Sequence, residues 1–179
     1  MVLAPSRAMG SVRLRLISSV LLLSAVSGCA TLQSLRQFVQ PPRFRQADDR
    51  GNEVRLIGPS GTSPLGGASV RIWTTVTNPN QFGFTLSTVD GELYIDDRLA
   101  TEGSFPLGLP LRSNEESTIP IDFTIRFQDI PALASVLRQA ASGGSVPYRI
   151  DGTIGVDAGS LGNPTFGPLT LLTGELRRP

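Results

Sequence analysis

At 179 residues the chain is long enough for one domain with a real core, and its 16 basic and 15 acidic residues leave it near neutrality. Every basic residue is an arginine, His and Lys are absent, and Cys29 is the single cysteine, which excludes nucleophilic triads of the usual kinds and any internal disulfide. Balanced charge also argues against an electrostatic footprint for nucleic acid.

Arg13 and Arg15 precede an apolar run from Leu16 to Val26 and then Ser27-Gly28-Cys29, the order of an export signal. The run is about a dozen residues, short of the ~20 that span a bilayer, so it predicts a signal and not a permanent membrane helix. Met9 suits such a signal better than Met1 as a start, because it leaves a segment of ordinary length. "VSGC" (Val26–Cys29) resembles the bacterial lipobox, which implies that Cys29 is lipidated and becomes the first residue of the mature chain. Two or more acyl chains anchor stably. Ala30 is not the Asp that retains enterobacterial lipoproteins in the inner membrane, so the resemblance implies a bacterial envelope protein on the periplasmic face of the outer membrane. The expected organisation is a signal peptide over 1–28, a lipidated cysteine and tether over 29–41, and one domain over 42–179. Loss of Arg7, Arg13 and Arg15 with the signal leaves 13 basic against 15 acidic residues. Phe38 and Val39 are read first as occasional apolar residues of a solvated stalk that ends in the semi-rigid pair Pro41-Pro42, with contact to lipid or to the domain as the alternative.

The domain opens with two short candidate strands, "RFRQ" and "EVRLI", followed by the Gly-, Pro- and Ser-rich loop "GPSGTSPLGG". In "ASVRIWTTVT" the residues Val70, Ile72, Thr74 and Val76 share one strand face, and Arg71, Trp73, Thr75 and Thr77 share the other. "FTLSTVDGELYIDD" and "RLATEGSFPL" carry turn signals at Asp90-Gly91 and Asp96-Asp97, which predict a bent strand or hairpin and then another strand. "STIPIDFTIRF" places Ile119, Ile121, Phe123, Ile125 and Phe127 on a core face, with Pro120 restricted to a strand start or an edge. "VPYRIDGTIGVD" and "PLTLLTGELRR" supply the last strands.

One stretch changes period. In "DIPALASVLRQAASGG" the residues Ile130, Leu133, Val136, Leu137 and Ala140 fall on one helical face, with Asp129 as cap, Pro131 in the first turn and Gly143 as stop. About seven short strands with one helix before the last two predict an all-β fold, an immunoglobulin- or fibronectin type III-like antiparallel sandwich.

Asn78-Pro79-Asn80 closes the alternating strand. Asn78 is pushed extended by the proline, Pro79 ends the ladder, and Asn80 is expected to take a left-handed conformation or fold back in an Asx-turn. On that geometry Asn80→Val destabilises the fold. The strand "VRIWTTVTNPN", then "FGFTLSTVDGELYIDDRLATEG", the Pro-bearing "IPIDFTIRF", a short helix and "YRIDGTIGV" (Tyr148 to Gly152 within it) together resemble the late embryogenesis abundant group 2 proteins and their WHy (water stress and hypersensitive response) domain, over roughly 42–176. The loop before the motif strand is expanded relative to the family's opening hairpin, which leaves the pairing of residues 42–57 open.

The resemblance implies a β-sandwich without catalysis or cofactor that limits aggregation or inactivation of stress-labile client proteins during desiccation, freezing or osmotic stress. Trp73, Phe82 and Phe84 are the candidate contact residues, against the alternative that they pack in the sandwich. Asp90, Glu92, Asp96 and Asp97 do not converge for acid-base work and match no Ca²⁺ loop, so no metal is expected. A different class of function, an envelope adaptor or a lipid- or ligand-binding module acting through loops or an edge strand, fits the same fold.

Overall fold

A computed structural model of the chain describes residues 39–176. They form eight strands and one helix: β1 (Arg43–Gln46), β2 (Glu53–Ile57), β3 (Gly67–Thr77), β4 (Phe84–Ile95), β5 (Arg98–Leu111), β6 (Glu116–Arg126), α1 (Leu133–Ala141), β7 (Val146–Asp157) and β8 (Thr165–Leu176). All pairings are antiparallel and fall into two four-stranded sheets. In the first, β3 is central, with β6 on one side and both β1 and β2 on the other; the second runs β5-β4-β7-β8. The expected all-β sandwich with one short helix is the observed architecture.

The pairing that the sequence leaves open is an interrupted edge. Gln46 pairs with Thr74 and Glu53 with Arg71, so residues 47–52 loop out opposite Ile72 and Trp73. In β3 the alternation holds as read: Val70, Ile72, Thr74 and Val76 are fully buried, while Arg71 and Trp73 lie on the outer face. Opposite them stand Ile121, Phe123 and Ile125 of β6. Pro120 sits mid-strand, which the sheet tolerates because β6 is an edge; β5, the edge of the other sheet, carries Pro106 and Pro110. A strand that lacks donors on its free side is a poor template for a further strand.

Asp90-Gly91 is not a turn. β4 runs unbroken through it, and a bulge between Leu86 and Thr88 shifts the parity, so that Val89, Leu93 and Ile95 also point inward. Gly91 pairs with Gly103 on one side and Gly152 on the other. A Cβ at Gly152 would collide with the Asp90 carbonyl and one at Gly103 would lie 2.8 Å from the Phe105 ring, whereas one at Gly91 would make only ordinary contact, at 3.7 Å, with the Phe123 ring. Phe105 meets the ring edge-on, with centroids 5.2 Å apart. The chain turns instead at Asp96 and Asp97, whose φ of 50° and 58° suit a two-residue hairpin.

Helix α1 buries Leu133, Leu137 and Ala140 and packs against β2 and β7. Asp129 does not cap it. The helix begins only at Leu133, so its N-cap is Ala132, without a side-chain bond, and Pro131 precedes it where the sequence placed it in the first turn; Asp129 accepts from Arg126 Nε at 2.9 Å. Gly143, at φ 100°, follows the helix as its stop.

Strand β3 rises from Gly67 to Thr77 and β4 descends from Phe84 to Ile95, which defines two ends. The Asn78-Pro79-Asn80 turn lies at the near end, together with the β5–β6 turn. At the far end lie the 58–66 loop, the Asp96-Asp97 hairpin and α1.

Candidate functional site

Asn78 is fully buried and its side chain joins two turns. Its Nδ2 donates to the carbonyls of Phe82 (2.8 Å), Arg112 (2.9 Å) and Leu111 (3.2 Å), two protons shared among three acceptors. Its Oδ1 accepts from the backbone N–H of Asn80 at 2.9 Å and from Asn80 Nδ2 at 3.0 Å. The Asx-turn thus belongs to Asn78. Asn80 is absent from the residues of positive φ, which corrects the left-handed geometry expected for it.

Asn80 looks back along the chain. Its Oδ1 accepts from the N–H of Gln40 at 2.8 Å and its Nδ2 donates to the Gln40 carbonyl at 2.9 Å, the two bonds that a paired strand residue would make. Its own carbonyl accepts from Ser113 Oγ at 3.0 Å. Beside this clamp Val39 is only 3% exposed and belongs to the core cluster, and Pro42 is buried. Residues 39–41, read from sequence as the end of a solvated tether, are therefore docked on the domain, and the compact unit begins at Val39. Sequence reasoning held contact of Val39 with the domain only as the lesser alternative and could not see the Gln40 clamp, whose partners lie 40 residues apart. The network is built from amides, a hydroxyl and carbonyls, with nothing in it to titrate, so it can hold a chain but cannot move a proton.

The three aromatic contact candidates separate. Phe84 is 5% exposed and packs in the core, so it presents no contact surface: the strand parity at the start of β4 turns it inward. Phe82 is half-buried against the same core. Trp73 lies on the outer face of the first sheet under two guanidinium groups, Arg50 at 4.4 Å and Arg71 at 5.9 Å from its ring centroid, and its Nε1 donates to Glu53 at 3.4 Å. Glu53 is held below its usual carboxylate range by the Arg55 guanidinium and then by this indole. Cys29 lies outside the described residues.

The carboxylates form rows, not a catalytic pair. On the outer face of the second sheet Glu92 stands opposite Glu102 on one side and Asp151 on the other, while Asp96 and Asp97 sit in the hairpin. Asp151 is lowered by Thr170, which donates at 2.7 Å, and then by Arg149 at 2.8 Å. Among the described residues no group of three or more His, Cys, Asp or Glu side chains is placed to hold a metal ion, and no helix is long and apolar enough to cross a membrane.

In "YRIDG", Tyr148 is buried, accepting from Asn52 Nδ2 and donating to Gln46 Oε1, each at 3.4 Å, and burial pushes its phenol up to about 12. Asn52 also donates to the Glu175 carbonyl at 3.3 Å. The looped-out 47–52 segment is thereby tied to β7 and β8. The clefts beside it and beside residues 40–44 are depressions open to solvent.

The model of the LEA_2 family, late embryogenesis abundant protein, matches residues 74–169, from the middle of β3 into β8. The chain belongs to this family. LEA_2 proteins are in general non-enzymatic, in keeping with a motif that clamps backbone and performs no chemistry. Among solved structures, a protein from Arabidopsis thaliana is similar at 16% identity over 71% of this chain and 78% of that one, with a TM-score of 0.51, a likeness of fold. A solution structure assigned as a late embryogenesis abundant protein shares 15% identity over 90% of this chain and 88% of its own, with a TM-score of 0.48. A crystal structure from Archaeoglobus fulgidus shares 11% over 73% and 97%, with a TM-score of 0.41. Among curated proteins none matches the chain.

Proposed function

We propose that this LEA_2 chain is a stress-protective lipoprotein of the WHy type: exported by residues 1–28, lipidated on Cys29, and held on the periplasmic face of a bacterial outer membrane. There it limits aggregation or inactivation of labile proteins under desiccation, freezing or osmotic stress, without catalysis. The observation that carries this reading is the family match across residues 74–169. Two features support it. The fold is ordered before any client arrives, so protection comes from a preformed surface and not from a chain that must fold on contact. The Asn80 side chain holds Gln40, near the end of the proposed 29–41 tether, against the domain.

The test is to dry or freeze a labile enzyme with residues 30–179, using an equal mass of an unrelated small β-sandwich as control. Protection well above the control is expected. Protection no better than the control refutes the reading and favours a specific envelope partner or lipid handling, which a pull-down from envelope extracts then separates.

A further inference from the structure

Residues 39–47 are held by contacts that all lead to the rest of the domain. Gln40 is paired through its backbone alone, by the Asn80 side chain. Arg43, Phe44, Arg45 and Gln46 pair with Thr77, Val76, Thr75 and Thr74, and the Ala47 N–H donates to the Trp73 carbonyl at 2.9 Å. Val39 and Ala47 are 3% and 4% exposed, and Arg45 reaches across β3 to Glu116 of β6 at 3.1 Å. None of these bonds joins two residues of the segment to each other. A second segment of the same sequence would therefore satisfy the slot equally well, and every copy of the chain carries one.

The connection to β2 is suited to release it. β1 ends opposite Thr74 and β2 begins opposite Arg71, so six residues, 47–52, bridge two positions of β3. Ala47 and Asn52 are buried, and Asn52 is tied to the Tyr148 hydroxyl and the Glu175 carbonyl. Between them Asp48, Asp49, Arg50 and Gly51 are all exposed. Both β1 and β2 are antiparallel to β3 on the same edge, so the chain does not reverse between them. These four residues are a hinge and not a turn. Its ion pairs, Asp48 with Arg45 and Asp49 with Arg50, are solvent-exposed and hold it weakly.

Other edges of the sandwich receive a foreign strand poorly. β6 carries Pro120, and β5 carries Pro106 and Pro110. Exchange of the segment avoids those edges, since it reuses a pairing that the fold already makes. If each of two copies gives its segment and receives the other's, the arrangement closes on a two-fold axis and stops there.

We propose that residues 39–47 are an exchangeable element, and that its occupant in trans is the same segment of a second copy, which yields a closed, swapped dimer. Concentration decides between the forms. A short flexible hinge keeps the segment near its own slot at an effective concentration on the order of millimolar, so the dilute chain closes on itself. The dimer forms where the protein approaches that concentration, as it does when water is withdrawn.

The test uses the full-length chain in detergent solution, with Cys29→Ser so that introduced cysteines are the sole thiols. One tagged chain carries Arg43→Cys, and a second, with a different tag, carries Thr77→Cys or, away from the slot, Ser135→Cys on the exposed side of α1. Paired antiparallel residues stand about 4.5–5.5 Å apart at Cα, within reach of a disulfide. The mixture is kept dilute, or dried and rehydrated, then oxidised and scored for disulfide-linked heterodimer. Drying should raise the link between positions 43 and 77 more than about tenfold over the dilute mixture, and to more than about fivefold above the link between 43 and 135. Equal linkage to 77 and 135 overturns the proposal, and so does linkage to 77 that drying leaves unchanged. Preferential capture of position 77 by the thiols of a reduced, unfolded protein added in equal amount also overturns it and assigns the slot to foreign strands. As a second measurement, a chain with both Arg43→Cys and Thr77→Cys is oxidised while dilute, which locks the segment in its own slot. Light scattering after drying should find this chain monomeric and the same chain kept reduced dimeric. A dimer that survives the lock lies elsewhere on the surface and sinks the exchange.

Discussion

The two ends of the sandwich solve opposite problems with opposite chemistry. At the near end Asn78 and Asn80 are buried, and their amides are matched to backbone groups of Gln40, Phe82, Leu111 and Arg112. At the far end the chain spends a nine-residue loop, a hairpin and a helix and still leaves four aliphatic side chains in water. Burial of polar groups is tolerable only when every one is paired, whereas exposure of apolar groups costs little locally. The near end is therefore held by paired polar groups, whereas the far end is held by the buried apolar face of α1 and leaves other aliphatic side chains outside.

The sharpest way to break this comparison is Asn78→Ala. It strips three carbonyls and the Asn80 N–H of their partner in a buried site, at about 1–3 kcal/mol for each group left unsatisfied, and the expected total is roughly 3–5 kcal/mol once water relieves part of the loss. Urea denaturation should show a large fall in midpoint with an unchanged slope. A loss below about 1 kcal/mol would mean that the network does not hold the near end.

Next comes alkaline pH, which separates the ends because the near-end network cannot ionise while Tyr148, paired opposite Ile95 toward the far end, can. Its folded pKa is raised to about 12 from 10.0 by burial, so the neutral phenol is the form the fold prefers. Its contribution is fully present below pH 10 and is lost as pH rises through 12, amounting to about 2–3 kcal/mol. Melting followed from pH 9 to 12 alongside tyrosinate absorbance should show the loss in wild type and a flatter profile in Tyr148→Phe. Identical profiles would locate the alkaline transition elsewhere.

Asn80→Val follows at about 2 kcal/mol, through the lost pairing of Gln40 and not through backbone strain, since Asn80 has an ordinary φ. Hydrogen exchange distinguishes the two causes: the Gln40 amide should lose protection while the β3 amides keep theirs. Uniform loss across the sheet would point to strain.

How much of this was legible in the sequence follows the range of the interactions. Period-two patterning located β3, β6 and β7 and the inward parity of Val70, Ile72 and Val76, and even the four-residue β1 was readable, because strand patterning is a local signal. Asp90-Gly91 misled because the dipeptide that signals a turn in isolation lies here inside a strand paired on both sides, with Gly91 set between Gly103 and Gly152. Asp129 was a sound cap in isolation and was claimed by Arg126. At the candidate site the motif residues could be named, but what they grip could not: Gln40 has no hydropathy signature, and a clamp of side-chain amide on backbone spanning 40 residues leaves no periodic trace. Phe84 was offered as a contact by its aromatic type and hidden by its parity.

The smallest effect tests the far end. Leu65→Ser exchanges a side chain already 57% exposed and should change stability by no more than about 0.5 kcal/mol, within the range of ordinary surface substitutions. The loop that carries it is fixed by Ser63, Gly66 and Phe127 through backbone and hydroxyl groups that the substitution does not touch. An unchanged melting temperature would therefore show that the Leu65 side chain contributes nothing to the fold. A drop above about 1 kcal/mol would mean that Leu65 is part of the packing that closes the sandwich.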